Sequence, residues 1–131
     1  MLPGKVIEEF EVDGKKARIR YEEMRDAEDY MELKNSLVEE GAKIGSQEKI
    51  DSKEAVEKVA GALKEIAKGE GIYLVLEVNG EGMGVANVSR ESSGAQEHVG
   101  TSGIFLRREW REKGLGTKLM ETLISEARSQ E

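Results

Sequence analysis

The sequence has no cysteine, one histidine and one tryptophan in 131 residues, and aromatic side chains make up only 5% of it. Without cysteine there is no disulfide framework, no thiolate nucleophile and no thiolate metal site, so covalent cysteine chemistry is excluded. A single histidine argues against a zinc enzyme, and no metal is expected. No stretch approaches the apolar length needed to cross a bilayer, and the start Met1-Leu2-Pro3-Gly4 lacks the apolar run of a signal peptide; a cytoplasmic location is expected. Positive charge is also in deficit: 20 Lys and Arg against 27 Asp and Glu give a formal charge of −7. Neutralising phosphates needs a basic surface, so general binding to nucleic acid or to an anionic membrane is not expected, although a local basic patch is compatible with this balance.

What is present suffices for a folded domain. Charged residues reach 36%, but the 37% hydrophobic residues are periodic, and the length suits a single domain over residues 1–131 with one core. Val6, Phe10 and Val12 share one strand parity, Ala17, Ile19 and Tyr21 another, and Asp13-Gly14 between them is a two-residue hairpin signal. From Asp26, a plausible N-cap, Ala27, Tyr30, Met31, Leu37 and Val38 recur at helical spacing until Gly41. The segment from Gly41 to Ile50 has no period and reads as a loop. Asp51 and Glu54 then suggest a capping box, and Ala55, Val56, Val59, Ala60, Leu63, Ile66 and Ala67 trace the stripe of a second helix.

Beyond Gly71, Ile72 to Val78 is the nearly continuous apolar run of a central strand covered on both faces. Asn79 to Gly82 makes a turn, Met83 to Arg90 a further strand, Glu91 to Gln96 a polar loop and Glu97 to Leu106 the last strand. In the final helix Leu115, Leu119, Leu123 and Ala127 lie four apart, with Met120 and Ile124 widening the face expected to pack on the sheet. Trp110, Tyr21, Tyr30 and Tyr73 read as packing rather than as a substrate cage.

Between the last strand and the last helix stands Arg111-Glu112-Lys113-Gly114-Leu115-Gly116-Thr117. Two glycines fall where the backbone turns into the helix and leave its first amides free of side-chain cover. Such a helix start, with its partial positive charge and aligned N–H donors, suits a diphosphate, and Arg111 and Lys113 add two cations. The pattern resembles the Q/R-x-x-G-x-G/A signature of the GNAT superfamily of N-acetyltransferases, with Arg111, Gly114 and Gly116 at its defined positions. The preceding segment from His98 to Leu106, followed by Arg108-Glu109-Trp110-Arg111, is similar to the strand and loop of GNATs acting on ribosomal-protein termini, polyamines and related amines. The resemblance covers nearly the whole chain and implies an α/β (α+β) fold, a mixed but mainly antiparallel sheet flanked by helices in the order ββααβββα. The family continues with a further strand, a helix and a final hairpin that this chain does not carry, including the tyrosine that often protonates the departing thiolate.

The resemblance further implies acetyl-CoA as cosubstrate. Its pyrophosphate would lie on residues 111 to 117 (Arg111, Glu112, Lys113, Gly114, Leu115, Gly116 and Thr117), and its pantetheine amides would bond the backbone of Ile104 and Leu106. An acetyl group would then pass to an amine acceptor such as a protein N-terminus, a lysine, a polyamine or a small metabolite, by direct attack in a ternary complex. The base stays open between Glu97 and His98, which open the last strand with opposite orientations, and solvent. The rival reading is a non-catalytic CoA-binding or structural half-domain completed by a partner. With no further strand beside it, the last strand would expose its edge, and a homodimer is expected.

Overall fold

The computed structural model describes residues 3–41, 48–90 and 100–129. Strands β1 (Val6–Val12) and β2 (Lys15–Tyr21) form the opening hairpin, and a single 3-10 turn, Met24–Asp26, leads into α1 (Ala27–Glu39). Helix α2 (Ser52–Lys68) is followed by β3 (Gly71–Val78), β4 (Glu81–Arg90) and β5 (Gly100–Leu106). A second 3-10 turn, Arg108–Trp110, precedes α3 (Leu115–Ser129). The element order is the expected one, and the strands lie side by side in chain order with every described pairing antiparallel.

The turn chemistry accounts for that meander. Asp13-Gly14 and Asn79-Gly80 both adopt positive φ (52° and 74°, 53° and 80°), the geometry that lets a two-residue hairpin follow the twist of its strands. Asp51 caps α2 by accepting from the Glu54 N–H at 2.9 Å, and Gly69 closes that helix in the left-handed conformation. Asp26 does not cap α1 with its side chain. Its carboxylate is taken instead by Arg20 and by the Glu23 N–H at 2.8 Å.

The two sheet faces are covered differently. One parity (Ala17, Ile19, Tyr21, Leu74, Leu76, Ala86, Ile104 and Leu106) packs with Leu115, Leu119 and Leu123 of α3. The opposite parity, with Val75 and Val85, faces α1 and α2, which pack on each other through Ala27, Ala55 and Val59. Two of the expected stripes are corrected. In α2 the buried positions are Ala55, Val59, Ala62 and Ile66, and Val56, Ala60 and Ala67 are exposed, because 55, 59, 62 and 66 follow the true helical period. In α3 Met120 and Ile124 face outward while Thr122 is buried.

The parity opposite Ile19 and Tyr21 is polar in sequence, and beyond the exposed Arg18 it is nonetheless buried. Arg20 is 2% exposed, with Asp26 at 3% and Glu77 at 4%. The guanidinium holds Asp26 through two bonds of 2.8 and 2.6 Å and Glu77 through one of 3.0 Å, which is the pairing that makes such burial tolerable.

Candidate functional site

The turn between β5 and α3 combines two sets of backbone donors. Arg107 donates its N–H to the Met83 carbonyl at 2.9 Å, and β5 pairs with β4 without a register shift. In an antiparallel ladder, alternate residues point their N–H and C=O groups to opposite sides. With Arg107 and Phe105 turned toward β4, the backbone groups of Ile104 and Leu106 point away from β4, to the β5 edge of the described sheet. The Leu106 carbonyl is satisfied there by the Arg111 Nε at 2.9 Å.

Beyond β5 the chain passes through Trp110, 8% exposed, and then through two left-handed residues, Glu112 (φ 61°) and Gly114 (φ 78°). A non-glycine residue in that region is uncommon and costs on the order of 1 kcal/mol. Gly114 meets the same requirement without a side-chain penalty. Helix α3 starts immediately, and its first backbone bond runs from Lys118 N–H to Gly114 C=O at 3.2 Å. The amides of Leu115, Gly116 and Thr117 therefore lie ahead of the ladder, at the positive end of the helix dipole. A Cβ on Gly116 would meet only Leu106 Cδ1, at 3.9 Å, so the protein itself does not demand glycine there.

The cations around this turn are engaged. Arg111 does not extend into solvent: its Nη1 and Nη2 hold the Glu40 carboxylate at 2.5 and 3.0 Å, tying the turn to the end of α1. That hydrogen bond, helped by the charges of Arg111 and Arg108 and opposed by desolvation, holds the Glu40 carboxyl below its usual range. Lys113 pairs with Asp13 at 2.6 Å and lies 6.0 Å over the Trp110 ring. Lys118 pairs with Glu8 at 2.9 Å and sits over Phe10 at 4.6 Å. Asp13 and Glu8 are exposed carboxylates, which an incoming phosphate can replace at small cost, whereas Glu40, 14% exposed, is partly buried against Arg111. Glu97 and His98, the two candidate bases, lie outside the described residues.

On the opposite face of the sheet two adjoining cavities open beneath α1 and α2. One, of about 460 Å³, is lined by Tyr30, Lys34, Lys58, Val85, Asn87 and Phe105 among others. The other, of about 300 Å³, shares Tyr30, Lys58, Val85 and Asn87 and reaches Glu22, Glu65 and Tyr73. Tyr30 and Tyr73, read from sequence as packing, do pack against the core and also line these cavities, whereas Tyr21 and Trp110 are buried in the core. Glu22 escaped the sequence reading altogether. It continues the parity of Arg18 and Arg20, which looks solvent-facing until the helices are placed over it. Among the described residues no group of three or more metal-ligating side chains is assembled, and no helix is long and apolar enough to cross a membrane.

No curated protein sequence matches the chain closely enough to count as a relative. Among solved structures, yncA from Salmonella typhimurium, described as an acetyltransferase and solved with its cofactor acetyl-CoA, superposes with a TM-score of 0.73 at 26% identity, covering 87% of this chain and 64% of that one. A GNAT-family acetyltransferase from Streptococcus pneumoniae shares the fold with a TM-score of 0.73 at 23% identity, over 87% of this chain and 68% of that one. The ribosomal-protein-alanine N-acetyltransferase of Brucella melitensis does so at 0.72 and 22% identity, over 86% and 67%. The chain therefore spans about two thirds of the length of the proteins it resembles. The sequence profile described as the acetyltransferase (GNAT) family matches residues 24–131, from the turn before α1 through the end of α3, and on that match the chain belongs to the GNAT acetyltransferase family.

Proposed function

We propose that residues 1–131 form one acetyltransferase domain that binds acetyl-CoA along the β5 edge and the β5–α3 turn and transfers the acetyl group to a primary amine by direct attack in a ternary complex. The observation that carries this reading is the continuity of two donor sets: the outward backbone of Ile104 and Leu106 runs straight into the uncovered amides of Leu115, Gly116 and Thr117. An extended ligand with amide groups at one end and a diphosphate at the other matches that order of donors, and the Salmonella relative was solved with such a ligand. Acetyl-CoA supplies an activated acetyl thioester. In this reading the Leu106 N–H, directed away from β4, donates to a thioester oxygen as it gains negative charge. Lys113 and Lys118 exchange Asp13 and Glu8 for phosphate oxygens, and Arg111 acts as a positioning residue, holding the turn against Leu106 and Glu40.

As the amine nitrogen bonds to the carbonyl carbon, the C–S bond breaks, the amine gives up its proton, and the sulfur leaves as thiolate or thiol. For the base, Glu97, His98 and solvent remain the candidates. Isothermal titration with acetyl-CoA, followed by a thiol-release assay over a panel of amines, tests the proposal. Binding and release together support transfer. Binding without release favours the non-catalytic half-domain completed by a partner, and absence of binding defeats the site.

A further inference from the structure

The feature that the acetyl-CoA site leaves unexplained is Glu22. It is 5% exposed, and its side chain makes no hydrogen bond among the described residues, although its neighbours Arg20, Asp26 and Glu77 bond one another. It lines the cavity of about 300 Å³ together with Glu57, Lys58 and Glu65 of α2, and among the described residues no other buried carboxylate lines it. Its position relative to β5 follows from the ladder. The Glu22 N–H donates to the Tyr73 carbonyl at 2.9 Å, Tyr73 pairs with Asn87, and Asn87 pairs with Gly103. Glu22, Tyr73, Asn87 and Gly103 thus form one row across the sheet on the α1/α2 face, and three strand spacings put Glu22 about 14 Å from β5 in backbone terms. A side chain on Gly71 would collide with Tyr73 Cε1 at 2.7 Å and Glu65 Oε1 at 3.0 Å, so glycine there permits the placement of both groups beside the cavity.

Resting on the transfer reading above, we propose that Glu22, with Glu57 and Glu65 at the rim, forms a subsite for a second positive charge of the acceptor, selecting a linear oligoamine whose near amine reacts at the β5 edge. A buried carboxylate without a hydrogen-bonding partner, in a cavity with two more carboxylates at its mouth, is completed by an ammonium group that brings several N–H donors and a compensating charge. Too far from β5 to take the proton of the reacting amine, Glu22 is suited to the distal end of a long substrate. Desolvation, then repulsion by Asp26, opposed by Arg20, pushes the Glu22 carboxyl up to about 8. The other charged and titratable groups around it, among the described residues, are Asp29 and Tyr30 of α1, Glu57, Lys58 and Glu65 of α2, and Tyr73 and Glu77 of β3. Near neutral pH Glu22 therefore carries a proton that an arriving ammonium expels, so affinity rises between pH 6 and pH 8 with proton release.

Titration of spermidine and n-butylamine into the whole chain tests this. Spermidine is expected to bind at least about tenfold more tightly, since a charged hydrogen-bonded contact is worth that much. Glu22→Gln should erase the preference while the protein stays folded, with a melting temperature unchanged or raised, and CoA affinity holds. Equal affinity for the two amines, or a preference that survives Glu22→Gln in folded protein, overturns the subsite. Should Glu22→Gln fail to fold, the rim pair E57Q/E65Q serves instead: it should weaken spermidine and spare n-butylamine, and an unchanged ratio overturns the proposal. Thiol release separates the two readings. No turnover with any amine defeats transfer and leaves the titration result standing, whereas equal kcat/KM for both amines with intact turnover defeats the subsite alone.

Discussion

Glu22 and Arg20 occupy the same polar parity of β2 and end in opposite circumstances. Arg20 is fully paired, so its replacement exposes the cost of what it was pairing: Arg20→Leu strips the buried Asp26 of its cation and leaves Glu77 with the exposed Arg25 at 3.7 Å. Urea denaturation should show a loss of about 3–5 kcal/mol, the range for breaking a buried ion pair from one side. Glu22 works the other way. Its carboxyl is raised to about 8 in the folded state, so the folded chain binds more protons than the unfolded chain between the ordinary glutamate value and about pH 8. Stability contributed by the neutral form is complete at acid pH and falls as pH rises through that window. Glu22→Gln, which cannot ionise, should be nearly neutral at pH 4.5 and stabilising at pH 8.5 by on the order of 2–4 kcal/mol. Denaturant midpoints of both proteins at the two pH values check this, and parallel midpoints would show Glu22 ionised throughout.

At the scale of elements, the junction of β5 with α3 separates what the fold requires from what a ligand requires. Gly114 has a φ of 78°, so Gly114→Ala strains the backbone whatever binds, at about 1 kcal/mol or more. Gly116 has ordinary helical surroundings, and an added methyl would only touch Leu106 Cδ1 at 3.9 Å. Gly116→Ala should therefore keep or raise the melting temperature, since alanine is the better helix former by about 0.5–1 kcal/mol. Its CoA affinity should nevertheless fall by about tenfold, because the methyl stands over amides assigned to phosphate and costs at least one charge-assisted contact. Calorimetric melting and CoA titration of the two variants separate these effects. Undiminished CoA affinity in Gly116→Ala would remove the helix start from the site.

At the scale of the whole molecule, the described residues present two surfaces suited to association, the β5 edge of the sheet and one face of α3. The outward groups of Ile104 and Leu106 lie on the edge strand β5, and Met120 and Ile124, 41% and 43% exposed, form an apolar pair one turn apart on α3. Edge strands and exposed apolar pairs both favour association. We expect a homodimer at micromolar concentration whose contact includes one of these two features, and sedimentation velocity measures it. Ile124→Lys should shift the equilibrium toward monomer without lowering the melting temperature if α3 is the contact. Saturating CoA should do so if the β5 edge is, because ligand and partner would then compete for the same backbone groups. A monomer at all concentrations would rule out both.

Element order was legible in the sequence because each signal for it is local. Asp13-Gly14 and Asn79-Gly80 dictate their turns through the conformations they tolerate, Asp51 caps its own helix, and the apolar run from Ile72 to Val78 already reads as a strand covered twice. The turn from Arg111 to Thr117 was legible for the same reason, its glycines and helix start being neighbours in the chain. What covers a face is not local. Period two groups Arg18, Arg20 and Glu22 on one side of β2, but only the packing of α1 and α2 makes the last two of these buried charges instead of solvated ones. Likewise Arg111 finds Glu40 across 71 positions of sequence, and Met120 and Ile124 stay exposed although their spacing fits the buried stripe. Spacing states which side chains travel together, and burial depends on the surface brought against them, so the acidic cavity around Glu22 was decided by tertiary structure alone.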